Sequence, residues 1–228
     1  MRTRRALRPL LPVFAAALLA PLPGVAAAQT HEEPAGSAQA QLRKEIGNRV
    51  GKELRAVYAV RDNAPLWMED AGRPTGAAVL LLMRLRTADL DDLDPKDFRP
   101  DRLATLLDRA REGNAKDIAR AEVALSEAFA EYVRGMKSAK HADMIYENDV
   151  LRPSVPTAAN ALELAARADS LEHYIAEMRW MHPLYAPMRE ALGNPRFSEN
   201  QRQQIWRNLE RIRAIPAMRN GRHVLVDA

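Results

Sequence analysis

Residues 115–137 read AKDIARAEVALSEAFAEYVRGMK, and this stretch decides the fold class. Ile118, Ala121, Leu125, Phe129, Tyr132 and Met136 recur at steps of three and four. Such steps stack side chains on one side of a helix, so the spacing predicts a long amphipathic helix. The opposite face carries Arg120, Glu127, Glu131 and Arg134. A stripe of this kind is one that a helix turns toward a core, leaving its charges in water.

The same period continues in both directions. Upstream, Leu42, Ile46, Val50, Leu54 and Val57/Tyr58 predict a single helix that ends by Asn63-Ala64-Pro65. Pro74 suits the first turn of a short helix through Val79, Leu82 and Leu85. Pro100 opens another through Leu103, Leu106 and Leu107, closed by Gly113-Asn114. Downstream, Pro153 and Pro156 interrupt the pattern before helices expected at 158–167 and 171–180. Asp169 stands where it would cap the second of these, with Glu172 three residues on. Pro183 to Leu192 reads as a further helix, stopped by Gly193-Asn194-Pro195. Ser198 and Gln201 form a fuller capping box before Ile205, Trp206, Leu209 and Ile212. The count is about eight helices with no convincing strand before Ile215, which predicts an all-α, multi-helix fold.

The two ends differ from this body. Arg2, Arg4, Arg5 and Arg8 precede an apolar run from Pro9 to Val25 and then Ala26-Ala27-Ala28. That order is a secretory signal peptide over residues 1–28, and the expected location is the periplasm. Pro12, Pro21 and Pro23 make the run a poor permanent span, so no permanent membrane anchor is expected. Residues 29–40 are small, polar and broken by Pro34 and Gly36, which predicts a flexible leader ahead of a helical domain at 41–216. At the other end HVLVDA follows an Asn220-Gly221 turn signal. Its alternating β-branched residues, Val224 and Val226 among them, predict a lone strand over 222–228.

Charge and composition exclude several function classes. The chain has 34 basic and 30 acidic residues, and the four arginines of the first segment account for the whole excess. The rest is therefore neutral, and the high isoelectric point is no argument for nucleic acid, which needs a basic footprint on the folded domain. Arg207, Arg211 and Arg213 lie among acids at helical spacing and are expected to be solvated surface. There is no cysteine, so disulfides, thiol nucleophiles and thiolate metal sites are ruled out.

The usual catalytic constellations are missing. Ser138-Ala139-Lys140 has the wrong spacing for a Ser-x-x-Lys nucleophile, and His31-Glu32-Glu33 lacks the second histidine of a helical zinc site. The five histidines, His31, His141, His173, His182 and His223, show no ligand spacing. Gly47 to Lys52 resembles a phosphate loop but is one residue short between the glycines and sits in an amphipathic helix. Asp91-Asp92-Leu93-Asp94 precedes Pro95, where negative charge favours a helix N-terminus. No catalytic residue, metal ligand or cofactor site is assigned. Tyr58 to Trp67 reads as a helix end that turns at Pro65, with Arg61 and Asp62 tying the corner and Trp67 packing back on the core. A carbohydrate-stacking Trp67 is the alternative.

Tyr58 to Trp67, YAVRDNAPLW, resembles the Y-x-x-R-x-x-x-P-x-W opening of the scaffold domain of large periplasmic L,D-transpeptidases. ADLDDLDPKDF (Ala88 to Phe98) is similar to that domain's G-L-D-P-x-D-Y turn, and residues 120–140 to its long central helix. MHPLYAPMREAL (Met181 to Leu192), with His182-Pro183, and NLERIRAIP (Asn208 to Pro216), with Arg213 and Pro216, follow in the family's order. The family's R-W-L-P reads Arg213-Ala-Ile-Pro216 here.

The resemblance implies a non-catalytic role. In the family, the segment after NLER is the first strand of a catalytic β-domain, which HVLVDA resembles. That domain carries a Ser-x-Gly-Cys-x-Arg motif whose cysteine attacks a meso-diaminopimelate carbonyl of a peptidoglycan stem. Such chemistry needs a thiolate activated by histidine, and this sequence supplies none. The expected role is the scaffold portion of an enzyme that cross-links the cell wall, truncated before its catalytic half. Its expected partner is a catalytic L,D-transpeptidase domain or peptidoglycan. The alternative is a free-standing periplasmic helical adaptor that binds an envelope protein or glycan.

Overall fold

The computed structural model describes residues 35–138, 145–147 and 153–215. Within them the chain forms α1 (Ala35–Arg49), α2 (Arg55–Ala59) and α3 (Gly76–Arg86), then two 3-10 turns at Ala88–Asp91 and Pro95–Phe98. It continues through α4 (Pro100–Ala110), α5 (Ala115–Lys137), α6 (Ala158–Ala166), α7 (Leu171–Ala176), α8 (Tyr185–Leu192) and α9 (Glu199–Arg213). No strand occurs among the described residues, and the expected all-α fold is what they form. Residues 1–28, with their signal pattern, and the expected strand at 222–228 lie outside the described residues. No helix among those described is long and apolar enough to cross a membrane.

Helix α5 is the axis of the molecule. Thirteen of its residues are buried, which takes its apolar surface well beyond the predicted stripe to Ala119, Val123, Ala130 and Val133. Helices α1, α4 and α6 pack against it, α3 packs against α7, and α8 against α9. Aromatic rings gather along its middle. Phe129 lies 5.4 Å from Trp67 and 5.5 Å from Trp180, centroid to centroid, and Tyr132 is 5.6 Å from Phe98. Tilted and edge-on pairs of this kind add to the energy of burial itself.

The local chemistry of the chain sets most helix starts. Thr75, Asn114, Thr157, Ser170 and Ser198 each accept a backbone N–H from the first turn that follows, and Ser198 forms the expected reciprocal box with Gln201. Three expectations need correction. The predicted helix from Leu42 to Asn63 is two helices broken at residues 50–54, which raises the count from about eight to nine among the described residues. Gly51 falls in the break and Gly47 in the last turn of α1 before it, and each glycine disfavours helix by about 1 kcal/mol. The break lets α1 lie on α5 while α2 meets α6.

Ser170, not Asp169, caps α7, and that helix stops at Ala176 instead of running to Trp180. Met178 takes a left-handed φ of 51° there, and the turn carries Met178, Trp180 and Met181 into the core. The gain in apolar burial outweighs continuing the helix into solvent. Finally, α1 begins at Ala35, inside the stretch read as a flexible leader over 29–40.

Gly72 is the glycine with the least freedom to change. Its φ is +80°, and a Cβ there would stand 1.9 Å from the Ala110 carbonyl oxygen at the end of α4. Gly72→Ala is expected to lower the unfolding free energy by about 2 kcal/mol, from left-handed strain plus a backbone clash. Urea denaturation followed by circular dichroism measures it, and a variant as stable as the parent would contradict the geometry.

Candidate functional site

The Tyr58 to Trp67 motif closes around a single carboxylate. Glu122 of α5 is fully buried. Its Oε1 accepts from the Tyr58 hydroxyl at 2.6 Å and the Leu66 N–H at 2.7 Å. Its Oε2 accepts from the N–H groups of Trp67 and Met68 at 2.9 and 3.1 Å. One helical turn on, Ser126 Oγ accepts from the Trp67 indole N–H at 2.7 Å and sits 2.7 Å from the Tyr58 oxygen. Three successive amides thus point at one carboxylate, the arrangement that best satisfies a buried acid.

Protons in this group form an ordered chain. With Glu122 ionised, Ser126 donates to Tyr58 and Tyr58 to the carboxylate. Burial pushes the Glu122 carboxyl up from its ordinary value, against the pull of the Tyr58 and amide hydrogen bonds. Burial, and then the Glu122 charge, likewise raises Tyr58 well above an ordinary phenol, so it stays a donor. Tyr58→Phe removes one of four donors to Glu122 and is expected to cost about 1–3 kcal/mol of stability in urea denaturation. A loss too small to measure would mean that the hydroxyl is dispensable.

A second junction is built on Asp91, and here the sequence reading is corrected. Asp91 was expected in an acidic loop that favours a helix N-terminus. It is instead 1% exposed. Arg189 of α8 donates through Nε to both carboxylate oxygens, at 2.8 and 2.9 Å. Its Nη2 reaches the carbonyl and hydroxyl oxygens of Thr87. The hydroxyls of Tyr132 and Tyr185 donate to the same carboxylate at 2.6 and 3.0 Å. Burial would lower the Arg189 guanidinium, but the Asp91 charge holds it above its usual range. The dipole reading does apply to Asp94, whose side chain caps the second 3-10 turn through the Lys96 N–H.

Arg213 is the other correction. It was expected on a solvated face, yet it is 6% exposed. It donates to the Asp91 carbonyl at 2.7 Å and to the Met136 and Gly135 carbonyls at 3.1 and 3.2 Å. The last carbonyls of α5 lie past the regular helical ladder, with Ser138 reaching that of Gly135, and a cation is favoured at that end. That demand outweighs the pull of solvent on one arginine.

The remaining candidates scatter. Arg61 and Asp62 do not tie to each other: Arg61 donates to the Ala166 carbonyl that ends α6, and Asp62 accepts from Arg43 of α1 at 2.7 Å. Asp62 and Asn63 take left-handed φ values of 53° and 52°, which turn the chain toward Pro65. Trp67 has no exposed surface, so it stacks on no carbohydrate. His182 accepts the Leu184 N–H at 3.2 Å just before α8, and Pro183 is exposed beside it. Pro216, Val224 and Val226 lie outside the described residues.

Neither buried junction offers a reacting group to solvent, so what these residues do is fix helices against one another. A third feature does open outward. A groove of about 1020 Å³ runs between the C-terminal ends of α3 and α7 and the length of α8, with Arg84, Arg179, Pro183, Pro187 and Glu190 on its walls. Reading the sequence for apolar positions missed Glu122 and Ser126. Their place four residues after Ile118 and three before Phe129 was the available signal, since a polar residue there must be buried with its partners.

The model of the Scaffold domain family, the scaffold domain of L,D-transpeptidases, matches residues 52–192. This chain belongs to that family. No curated protein and no solved structure matches it. The matched span of the scaffold domain runs from the break after α1 to the end of α8 and contains Tyr58, Trp67, Asp91, Glu122 and Arg189. Arg213 lies outside that span and still completes the Asp91 junction from α9.

Proposed function

We propose that this scaffold domain is the non-catalytic support of an L,D-transpeptidase acting in periplasmic peptidoglycan cross-linking, and that it holds a catalytic domain in place. The observation that carries the reading is a family match over a span whose polar motif residues are spent on locking helices, in a chain without cysteine. Acyl transfer by this class of enzyme needs a thiolate. The thiolate must come from outside this sequence, and the scaffold supplies a rigid body for it. Rigidity matters because misplacing reacting groups by about 1 Å costs roughly a hundredfold in rate. The basic, apolar, small-residue order at the N-terminus supports export.

The test mixes the purified chain with a separately produced catalytic domain of an L,D-transpeptidase. Co-elution in size-exclusion chromatography with light scattering is expected, and 3–3 cross-linked muropeptides should form only when the catalytic domain is present. Cross-links made by the chain alone, or two partners that elute apart, would overturn the proposal.

A further inference from the structure

Helices α8 and α9 pack chiefly on each other, and beyond that pair α8 meets the 3-10 turn Ala88–Asp91. Among the described residues, the two helices bury four side chains, Tyr185, Arg189, Leu209 and Arg213. Three of the four end on one residue. The Tyr185 hydroxyl and the Arg189 Nε donate to the Asp91 carboxylate at 3.0 and 2.8 Å, and Arg213 donates to the Asp91 carbonyl at 2.7 Å. Arg189 also reaches Thr87, and Arg213 the Met136 and Gly135 carbonyls at the end of α5. Apolar attachment is thinner, since Met188, Leu192, Ile205 and Ile212 are only partly buried. Helix α5, by contrast, buries thirteen residues.

That contrast sets what each part costs to detach. Freeing α5 exposes a large apolar surface, and the cost grows with the area. Freeing α8 and α9 breaks directional bonds to polar and charged groups, and water takes over as partner once those groups are exposed. Bonds that share one anchor also break together, because two helices packed on each other leave Asp91 as a pair. A unit with few buried apolar contacts opens at a lower free energy than the whole molecule unfolds.

We infer that α8 and α9 form a latch, leaving Asp91 together while the rest of the helical body stays folded. The opening acts on the groove of about 1020 Å³ described above. Ala186, Pro187, Arg189 and Glu190 of α8 make one of its walls, whereas Arg84 and Arg179 belong to α3 and the turn after α7. Closed, the latch builds the groove; open, it takes a wall away. Any molecule that fills the groove therefore holds the latch shut, because it binds the closed form alone. The inference is independent of whether a catalytic domain docks on the chain.

Native-state hydrogen exchange of the intact chain, in urea below the unfolding transition, tests the latch helix by helix. The hydrogen-bonded amides of α8 and α9 are expected to exchange through one shared opening, populated at least about tenfold more than the opening that releases α5. Tyr185→Phe takes one hydroxyl from Asp91 and should raise that opening about tenfold, in α9 as well as in α8, the factor for one hydrogen bond to a charged group. Tyr58→Phe weakens the body at Glu122, so α5 should exchange about tenfold faster while α8 and α9 keep the parent rates. Each variant keeps its ring and loses only a hydroxyl, so the fold survives both. If Tyr58→Phe speeds α8 and α9 as much as α5, the fold is indivisible and the latch is overturned. If Tyr185→Phe speeds α8 and not α9, the helices open separately, which overturns it too.

Discussion

Glu122→Ala is expected to lower the unfolding free energy by about 4–6 kcal/mol, because three buried amides and a phenol lose their acceptor at once. Each buried donor left unpaired costs about 1–3 kcal/mol, and water entering the small space recovers part of that. Against a total stability of roughly 5–15 kcal/mol, the variant should be partly unfolded in dilute buffer. Urea denaturation monitored by circular dichroism and by indole fluorescence measures the loss. A variant within about 1 kcal/mol of the parent would show that the carboxylate does not hold the motif, since surface changes fall in that range.

The same residue gives the fold a pH signature of known sign. Burial raises the Glu122 carboxyl above its unfolded value, so the folded state binds the proton more tightly. Its contribution is then complete below the ordinary carboxylate range and declines as pH rises through the folded value. Glu122→Gln keeps the volume and cannot titrate, so its stability difference from the parent should shrink as pH rises through that window. A difference that grows with pH across it would reverse the assignment.

Asp91→Ala is expected to cost about 3–5 kcal/mol, the penalty for leaving one member of a buried ion pair without the other. Arg189 would remain almost fully enclosed, and the Tyr132 and Tyr185 hydroxyls would lose their acceptor. Removing both charges, as Asp91→Ala with Arg189→Met, should recover much of the loss, because an apolar replacement of a buried pair is often neutral. Arg213 holds the Asp91 backbone carbonyl and not its side chain, so that contact survives either change. Additive losses in the double variant would contradict the pairing.

Particular residues show where the sequence was legible. The capping box at Ser198 and Gln201 and the proline that opens α4 are short-range devices, and each appears where it was read. The stripe from Ile118 to Met136 placed α5 but understated its burial, because one stripe cannot reveal neighbours on other sides. Tyr58 to Trp67 was readable as a turn, while its partner Glu122 lies 64 residues from Tyr58. Arg189 gave no signal at all, since an arginine on a short helix is usually solvated.

By itself the sequence determined the all-α class, the starts of α4, α5, α6, α7 and α9 and the lack of a thiol, since periodicity, capping and composition act within a few residues or need no structure. Tertiary structure alone decided which charges went inside. Asp91 and Arg189 are 98 residues apart. A buried charge is tolerable only beside its partner, and that partner is chosen by how distant helices pack.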